Sequence, residues 1–204
     1  MRYTGQIHPI SAEYRNFAVP LSAIRPITAE QAGALYAEFK NPANIRQFGQ
    51  KETPYPAAVC YYSPPFLREV YAEIGADIRR FLSFDLVETY YYARLYGPGD
   101  QLRIHTDRGG CFVSVSLCFG YDYSPMFPPG SAWPLMALAD RGKGPEEPVS
   151  FPFQPGDGML YPGCSAPHWR EIFLGQRCGQ AFFHWVPKDD RLFGEFYGDP
   201  KKRG

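Results

Sequence analysis

Between Leu86 and Pro187 the chain is built of short β-branched and aromatic runs, among them LVETYYYARLY (86–96), CFVSVSLCFG (111–120) and GQAFFHWVP (179–187), separated by glycine and proline. Such runs suit a pleated surface and such punctuation suits turns, whereas a helix long enough to be stable finds no room between the breakers. With 21 Pro and 20 Gly among 204 residues, the pattern argues against a helical bundle and for a β-dominated body. A chain of this length is expected to fold as one domain with a full core.

Helices are expected only upstream. TAEQAGALYAEFK (28–40) opens on Thr-x-x-Gln, a capping box, and sets Leu35 and Phe39 one turn apart. SPPFLREVYAEIGADIRRFLSF (63–84) offers Ser63 as a cap, Pro64 and Pro65 for the first turn, and an apolar stripe of Phe66, Val70, Ile74, Ile78 and Leu82. Residues 1–84 are expected to form a helical N-terminal support, 85–187 the β core and 188–204 a tail, within a single domain 1–204. The Pro- and Gly-rich span 121–150 predicts a loop with one short strand around Trp133, Pro134 and Leu135.

Lys plus Arg and Asp plus Glu both number 21, which argues against nucleic acid or a membrane surface held by bulk electrostatics. The first residues lack an apolar signal core, and no apolar run has the length needed to cross a bilayer. Five cysteines, an odd number without a Cys-x-x-Cys pair, suggest neither a disulfide framework nor a zinc ribbon. The expected setting is therefore a reducing cytoplasm, with the cysteines as buried thiols. The oligomeric state is left open.

The segment YARLYGPGDQLRIHTDRGG (92–110) breaks at a Gly-Pro-Gly turn and then places His105 two residues before Asp107. On an extended strand, residues i and i+2 share a face, so imidazole and carboxylate would project together. A third ligand would complete a two-histidine, one-carboxylate facial set of the kind that holds non-haem Fe(II) with open positions. A surface pair at a strand end has the same sequence pattern. Of the other three histidines, His168 follows a strand and a turn in YPGCSAPHWREIFLGQR (161–177), where an antiparallel return would bring it beside His105. Arg177, opening the last strand, would need an anionic partner inside a barrel, and its planar fork matches a carboxylate.

Tyr96-Gly97-x-Gly99, His105-x-Asp107, the QPGDGMLYPG strand-turn-strand (154–163), His168 and Arg177 together resemble the Fe(II)- and 2-oxoglutarate-dependent dioxygenases, particularly their prolyl-4-hydroxylase-like branch, over residues 87 to 187. The resemblance implies a mainly β fold with flanking helices, a double-stranded β-helix or jelly roll, as in cupin-like barrels. It implies Fe(II) on His105, Asp107 and His168, with Arg177 on the distal carboxylate of 2-oxoglutarate and Tyr96 near that carboxylate. It further implies conversion of 2-oxoglutarate and O2 to succinate and CO2, with ascorbate as a candidate reductant. Asp107, where related halogenases carry a small residue, favours hydroxylation or desaturation.

Other side chains keep two readings each. Tyr96 is equally a core aromatic, and Arg94, on its face of the strand, is either a substrate contact or a solvated arginine. Trp133 is a candidate substrate cover, while Arg170 is a candidate for an anionic substrate group or a surface ion pair. Phe183 and Trp185 share parity with Arg177, which would make them the pocket floor or ordinary packing. Ser114 and Ser116 line the pocket or face water. His184 is read as a core or edge histidine, and His8 has no supporting context. The function expected is hydroxylation of an unactivated C–H bond in a small molecule or amino acid. Peptidyl prolyl hydroxylation, a cupin-like or zinc metalloenzyme and a non-catalytic jelly-roll module are the alternatives.

Overall fold

The computed structural model describes residues 17–52, 55–139 and 147–198. Upstream, β1 (Ser22–Ile24) leads to α1 (Ala29–Lys40), α2 (Pro42–Phe48), the hairpin strands β2 (Gly49–Glu52) and β3 (Tyr55–Tyr62), and α3 (Arg68–Phe81). The capping box forms as expected: Thr28 Oγ1 accepts the Gln31 N–H at 3.1 Å, and Gln31 Oε1 accepts the Thr28 N–H at 2.8 Å. Ser63 does not cap α3. It sits at a φ of 46° with its N–H donated to the Tyr91 carbonyl at 3.0 Å, and the chain enters α3 through a 3-10 turn over Pro65–Leu67. Val70, Ile74 and Ile78 are buried, as their spacing requires.

The segment before residue 85 also contributes sheet, because β1, β2 and β3 all join the larger of two sheets. Pro56 within β3 hides its strand character in the sequence. The remaining strands are β4 (Leu86–Tyr96), β5 (Leu102–His105), β6 (Val113–Asp122), β7 (Leu135–Ala139), β8 (Glu147–Phe151), β9 (Gly158–Tyr161), β10 (His168–Arg170) and β11 (Arg177–Pro187). The seven-stranded sheet runs β1-β9-β6-β11-β4-β3-β2 and the four-stranded sheet runs β5-β10-β7-β8. From β4 to β11 the chain crosses back and forth between them through antiparallel pairings, which makes the fold a double-stranded β-helix, or jelly roll. The span 121–150 thus holds a strand pair, β7 and β8, where one short strand is expected.

Both faces of the large sheet are buried. On β11, Ala181, Phe183 and Trp185 face a core shared with Tyr36 and Phe39 of α1 and Tyr71 and Ile74 of α3. Cys178 and Phe182 face the space between the sheets with Tyr92, Tyr96, Trp133 and Phe173. A short helix, α4 (Asp190–Phe193), follows β11, its N-terminus capped by Asp189. All five cysteines are free. Among the described residues no helix is long and apolar enough to cross a membrane. His8 lies outside the described residues.

Candidate active site

The Gly97–Asp100 turn carries the chain from the large sheet to the small one. Gly99 has a φ of 83°, as the third position of a type II turn requires, and the Asp100 N–H returns to the Gly97 carbonyl at 3.2 Å. Buried Asp100 accepts the Gly97 N–H at 2.8 Å through Oδ2, which fixes the start of β5. Strand β5 then ends on His105, directly opposite His168 in the β5–β10 ladder. Asp107 lies two residues past that strand end and is held by a bond from its own N–H to the Gly163 carbonyl at 2.8 Å.

Three ligand-type side chains meet here. Asp107 Oδ1 stands 3.5 Å from His105 Nε2 and 3.7 Å from His168 Nε2, and the imidazole centroids are 4.3 Å apart. Each ring is locked through its other nitrogen: His105 Nδ1 lies 2.8 Å from the Arg103 carbonyl and His168 Nδ1 lies 3.0 Å from the Ala166 carbonyl. A carbonyl only accepts, so Nδ1 carries the proton and the Nε2 lone pair of each neutral ring faces the carboxylate. Metal-binding imidazoles are aimed in the same way, by a hydrogen bond from the ring nitrogen that does not face the metal. Three cis donors at about 2.1 Å from one ion stand about 3 Å apart, and the three ligand atoms here already lie within 4.8 Å of one another. The donor set therefore fits a two-histidine, one-carboxylate metal centre.

Charge follows depth. Burial raises the Asp107 carboxyl, but His168, the bond donated by protonated His105 and the charge of His184 outweigh it and bring the pKa to about 2. Burial lowers both ligand histidines, yet with opposite net results. His168, whose side chain is 3% exposed, is lowered, whereas His105, 38% exposed and able to donate Nε2–H to Asp107 once protonated, is raised. Burial takes His184 down to about 4, so it is neutral near pH 7. A second set, Asp107, Cys111 and His184, also lies within 4.8 Å. Burial and then Asp107 push the Cys111 thiol well above its ordinary value, and its Sγ lies 3.1 Å from the Tyr90 hydroxyl.

The three side chains open on a cavity of about 290 Å³ walled by Tyr55, Tyr90, Tyr92, Arg94, Leu102, Tyr161, Phe182 and His184. A larger groove of about 550 Å³ between β1 and β8 is lined, among the described residues, by one charged pair, Arg25 and Asp157, already joined at 2.8 Å. Arg94 is the expected residue that reaches the cavity wall. Tyr96 lies behind it, fully buried, its hydroxyl accepting from Arg94 Nη1 at 3.2 Å. Trp133 and Arg170 are buried together, with Arg170 Nη1 donating to the Trp133 carbonyl at 2.5 Å and Nη2 to Gln180 Oε1 at 2.8 Å. Arg170 is therefore no surface ion pair.

Two expectations on β11 are corrected. Arg177 is exposed and outside the cavity wall; its charge is felt by Tyr61, a tyrosine of the helix-side core whose hydroxyl burial raises to about 12. Trp185 and Phe183 likewise pack on the helix side against Tyr71, at ring-centroid distances of 4.9 and 5.7 Å. The physical reason is parity, because Cys178, Gln180, Phe182 and His184 take the inward positions of that strand. His184, expected as a core or edge histidine, is buried and also lines the cavity, with Nδ1 2.9 Å from Ser114 Oγ. Ser114 thus belongs to the site, whereas Ser116 is buried with no hydrogen-bond partner for its Oγ. Glu52 and Tyr55, from the β2–β3 hairpin, carry no sequence signal at all.

No family model matches the chain, and no curated protein matches it in sequence. Solved structures match it in shape. A prolyl-4-hydroxylase from Pseudomonas putida superposes with a TM-score of 0.57 at 18% identity, covering 84% of this chain and 94% of its own. HygX from Streptomyces hygroscopicus, solved with nickel, 2-oxoglutarate and hygromycin B bound, gives 0.60 at 11% identity, covering 86% of this chain and 85% of its own. An oxidoreductase of the 2OG-Fe(II) oxygenase family from Burkholderia pseudomallei gives 0.59 at 9% identity, covering 81% of this chain and 84% of its own. The chain therefore has the jelly-roll fold of the 2-oxoglutarate- and Fe(II)-dependent oxygenases.

Proposed function

We propose that this chain is an Fe(II)- and 2-oxoglutarate-dependent oxygenase that hydroxylates an unactivated C–H bond of a small molecule or an amino acid, with His105, Asp107 and His168 as its iron ligands. The observation that carries the proposal is the meeting of two Nε2 atoms and one carboxylate at the wall of an aromatic cavity. Iron bound there with the keto acid supplies oxidative decarboxylation to succinate and CO2, together with transfer of one oxygen atom of O2 to the substrate. The chain's own contribution is order. The carbonyls of Arg103 and Ala166 aim the two imidazoles, and Gly163 holds the backbone of Asp107. Asp107, ionised at neutral pH, needs no proton removed before it binds a metal. Leu102, Tyr161 and Phe182 keep apolar surface against the reacting groups and exclude water from the wall they form.

A cavity of about 290 Å³ lies at the small end of ligand pockets, so a compact substrate beside the keto acid suits it better than a folded polypeptide surface. Hygromycin B in HygX is a precedent for a small-molecule ligand on this fold, and the P. putida prolyl-4-hydroxylase supports the peptidyl alternative. Anaerobic addition of Fe(II) and 2-oxoglutarate is expected to give the visible charge-transfer band of the chelated cosubstrate, and Asp107→Ala to abolish it. A colourless mixture would overturn the proposal. Screening metabolites and proline-containing peptides for stimulated succinate release, with mass spectrometry for an added oxygen, then separates the two substrate classes.

A further inference from the structure

The carboxylate of Asp107 presents its two oxygens to two different sets of donors. Oδ1 faces the imidazoles of the candidate iron centre, 3.5 Å from His105 Nε2 and 3.7 Å from His168 Nε2. Oδ2 faces Ser114 Oγ at 3.5 Å, and that hydroxyl lies 2.9 Å from His184 Nδ1 and 3.0 Å from the Cys111 carbonyl. One hydroxyl therefore touches Asp107, His184 and Cys111 together. Among the described residues, these three and the iron set are the two groups of three His, Cys, Asp or Glu side chains whose ligand atoms lie within 4.8 Å of one another.

The two sets differ in donor chemistry. His105, His168 and Asp107 offer two nitrogens and an oxygen, whereas Cys111, His184 and Asp107 offer sulfur, nitrogen and oxygen. A thiolate favours Zn(II) and ions like it over Mn(II) or Mg(II), and three protein donors with a fourth position open is a common zinc arrangement. Cys111 and His184 are both buried. His184 is neutral near pH 7 and so keeps a lone pair, and Ser114, whose hydroxyl both donates and accepts, supports either tautomer. The charge of Asp107 helps to hold the proton on an empty Cys111 thiol, and the same charge attracts a cation. A bound ion takes the place of that proton, which leaves to the buffer. The Tyr90 hydroxyl, 3.1 Å from Cys111 Sγ, is then placed to donate to the thiolate.

We propose that Cys111, His184 and the Oδ2 side of Asp107 form a second metal site, for a thiophilic divalent ion of the Zn(II) class, which shares its carboxylate with the iron set. The test is anaerobic titration of the full chain with Co(II), whose bond to a thiolate gives a near-ultraviolet charge-transfer band that nitrogen and oxygen donors do not give. Mn(II) calorimetry reads the iron set in parallel. Wild type is expected to develop the band with Co(II) and to lose it when Zn(II) is added. Cys111→Ser is expected to abolish the band while keeping Mn(II) affinity within about twofold. His105→Ala is expected to do the reverse, weakening Mn(II) by about tenfold or more and keeping the band. His184→Gln is expected to raise the Co(II) concentration at half-maximal band by about tenfold or more. Cys164, whose Sγ lies 3.0 Å from the Arg108 carbonyl, is outside the set, so Cys164→Ser is expected to behave as wild type does. A wild type without the band, a band that survives Cys111→Ser, or one lost in Cys164→Ser overturns the site. Should Cys111→Ser fail to fold, the wild-type and His105→Ala spectra decide, since a band lost with His105 shows that no separate site exists. A band in a wild type that binds no Mn(II) removes the proposed iron centre and leaves this site, whereas Mn(II) binding without a band removes this site alone.

Discussion

The Gly163 carbonyl accepts the Asp107 N–H at 2.8 Å, and a Cβ added at Gly163 would stand 2.6 Å from Asp107 Oδ2 and 2.4 Å from both the Cys111 carbonyl oxygen and Ser114 Oγ. The carboxylate is thus held from one side by a backbone bond and confined from the other by a residue with no side chain. Gly163→Ala must displace Asp107 or the backbone around Cys111. Metal affinity, measured with Mn(II) or Co(II), is expected to fall about tenfold or more, which is about 1.4 kcal/mol. A folded Gly163→Ala that binds metal as tightly as wild type would contradict this account of the site.

Gly33 is the opposite case. It lies exposed inside α1, has no atom within 4 Å of where its Cβ would be, and adopts no positive φ. The glycine contributes only its entropic cost to the helix, so Gly33→Ala is expected to raise stability by about 0.5–1 kcal/mol in denaturant melts, with metal binding unchanged. A destabilised variant would mean that α1 is not the regular helix described.

These two glycines show how unevenly the sequence speaks. The capping box at Thr28 and the stripe on α3 are legible because helix signals are local. His105, Asp107 and His168 stand out because imidazoles are scarce in this chain and the spacing is chemical. Face assignment on β11 fails for a physical reason: Phe182 and His184 point between the sheets while Phe183 and Trp185 point at the helices, and all four are buried. A strand apolar on both faces has parity but no polarity, so nothing local says which set looks inward. Arg177 follows the same ambiguity to the wrong face. Glu52 and Tyr55 were beyond reach because their place in the site depends on pairing between distant strands.

Glu52 gives a pH test. Burial alone would raise its carboxyl, but bonds from the Tyr62 hydroxyl, from the Tyr92 hydroxyl at 2.8 Å and from Arg94 hold it below the ordinary value of 4.5. A carboxyl depressed in the folded state contributes stability that is present above its unfolded value and is lost as pH falls through the folded value. Wild type is therefore expected to lose stability relative to Glu52→Gln as pH drops below about 4.5, and to show its largest advantage nearer neutrality. Urea melts across that range give the comparison, and parallel curves for the two proteins would refute the linkage.

Neighbours on β11 should separate stability from ligand binding. Trp185 is fully buried on the helix side, packed on Tyr71, and its Nε1 has no hydrogen-bond partner. Trp185→Ala is expected to cost about 3–5 kcal/mol of stability through the cavity it leaves. Because the large sheet stands between that ring and the metal ligands, the folded fraction should keep its metal affinity within about twofold. Phe182 faces the other way, in the cavity wall and 6.0 Å from the Arg94 guanidinium. Phe182→Ala is therefore expected to weaken keto-acid binding more than metal binding, since it opens the wall to water without touching a ligand. If Trp185→Ala instead weakened metal binding in protein that remains folded, the assignment of the two faces of β11 would be wrong.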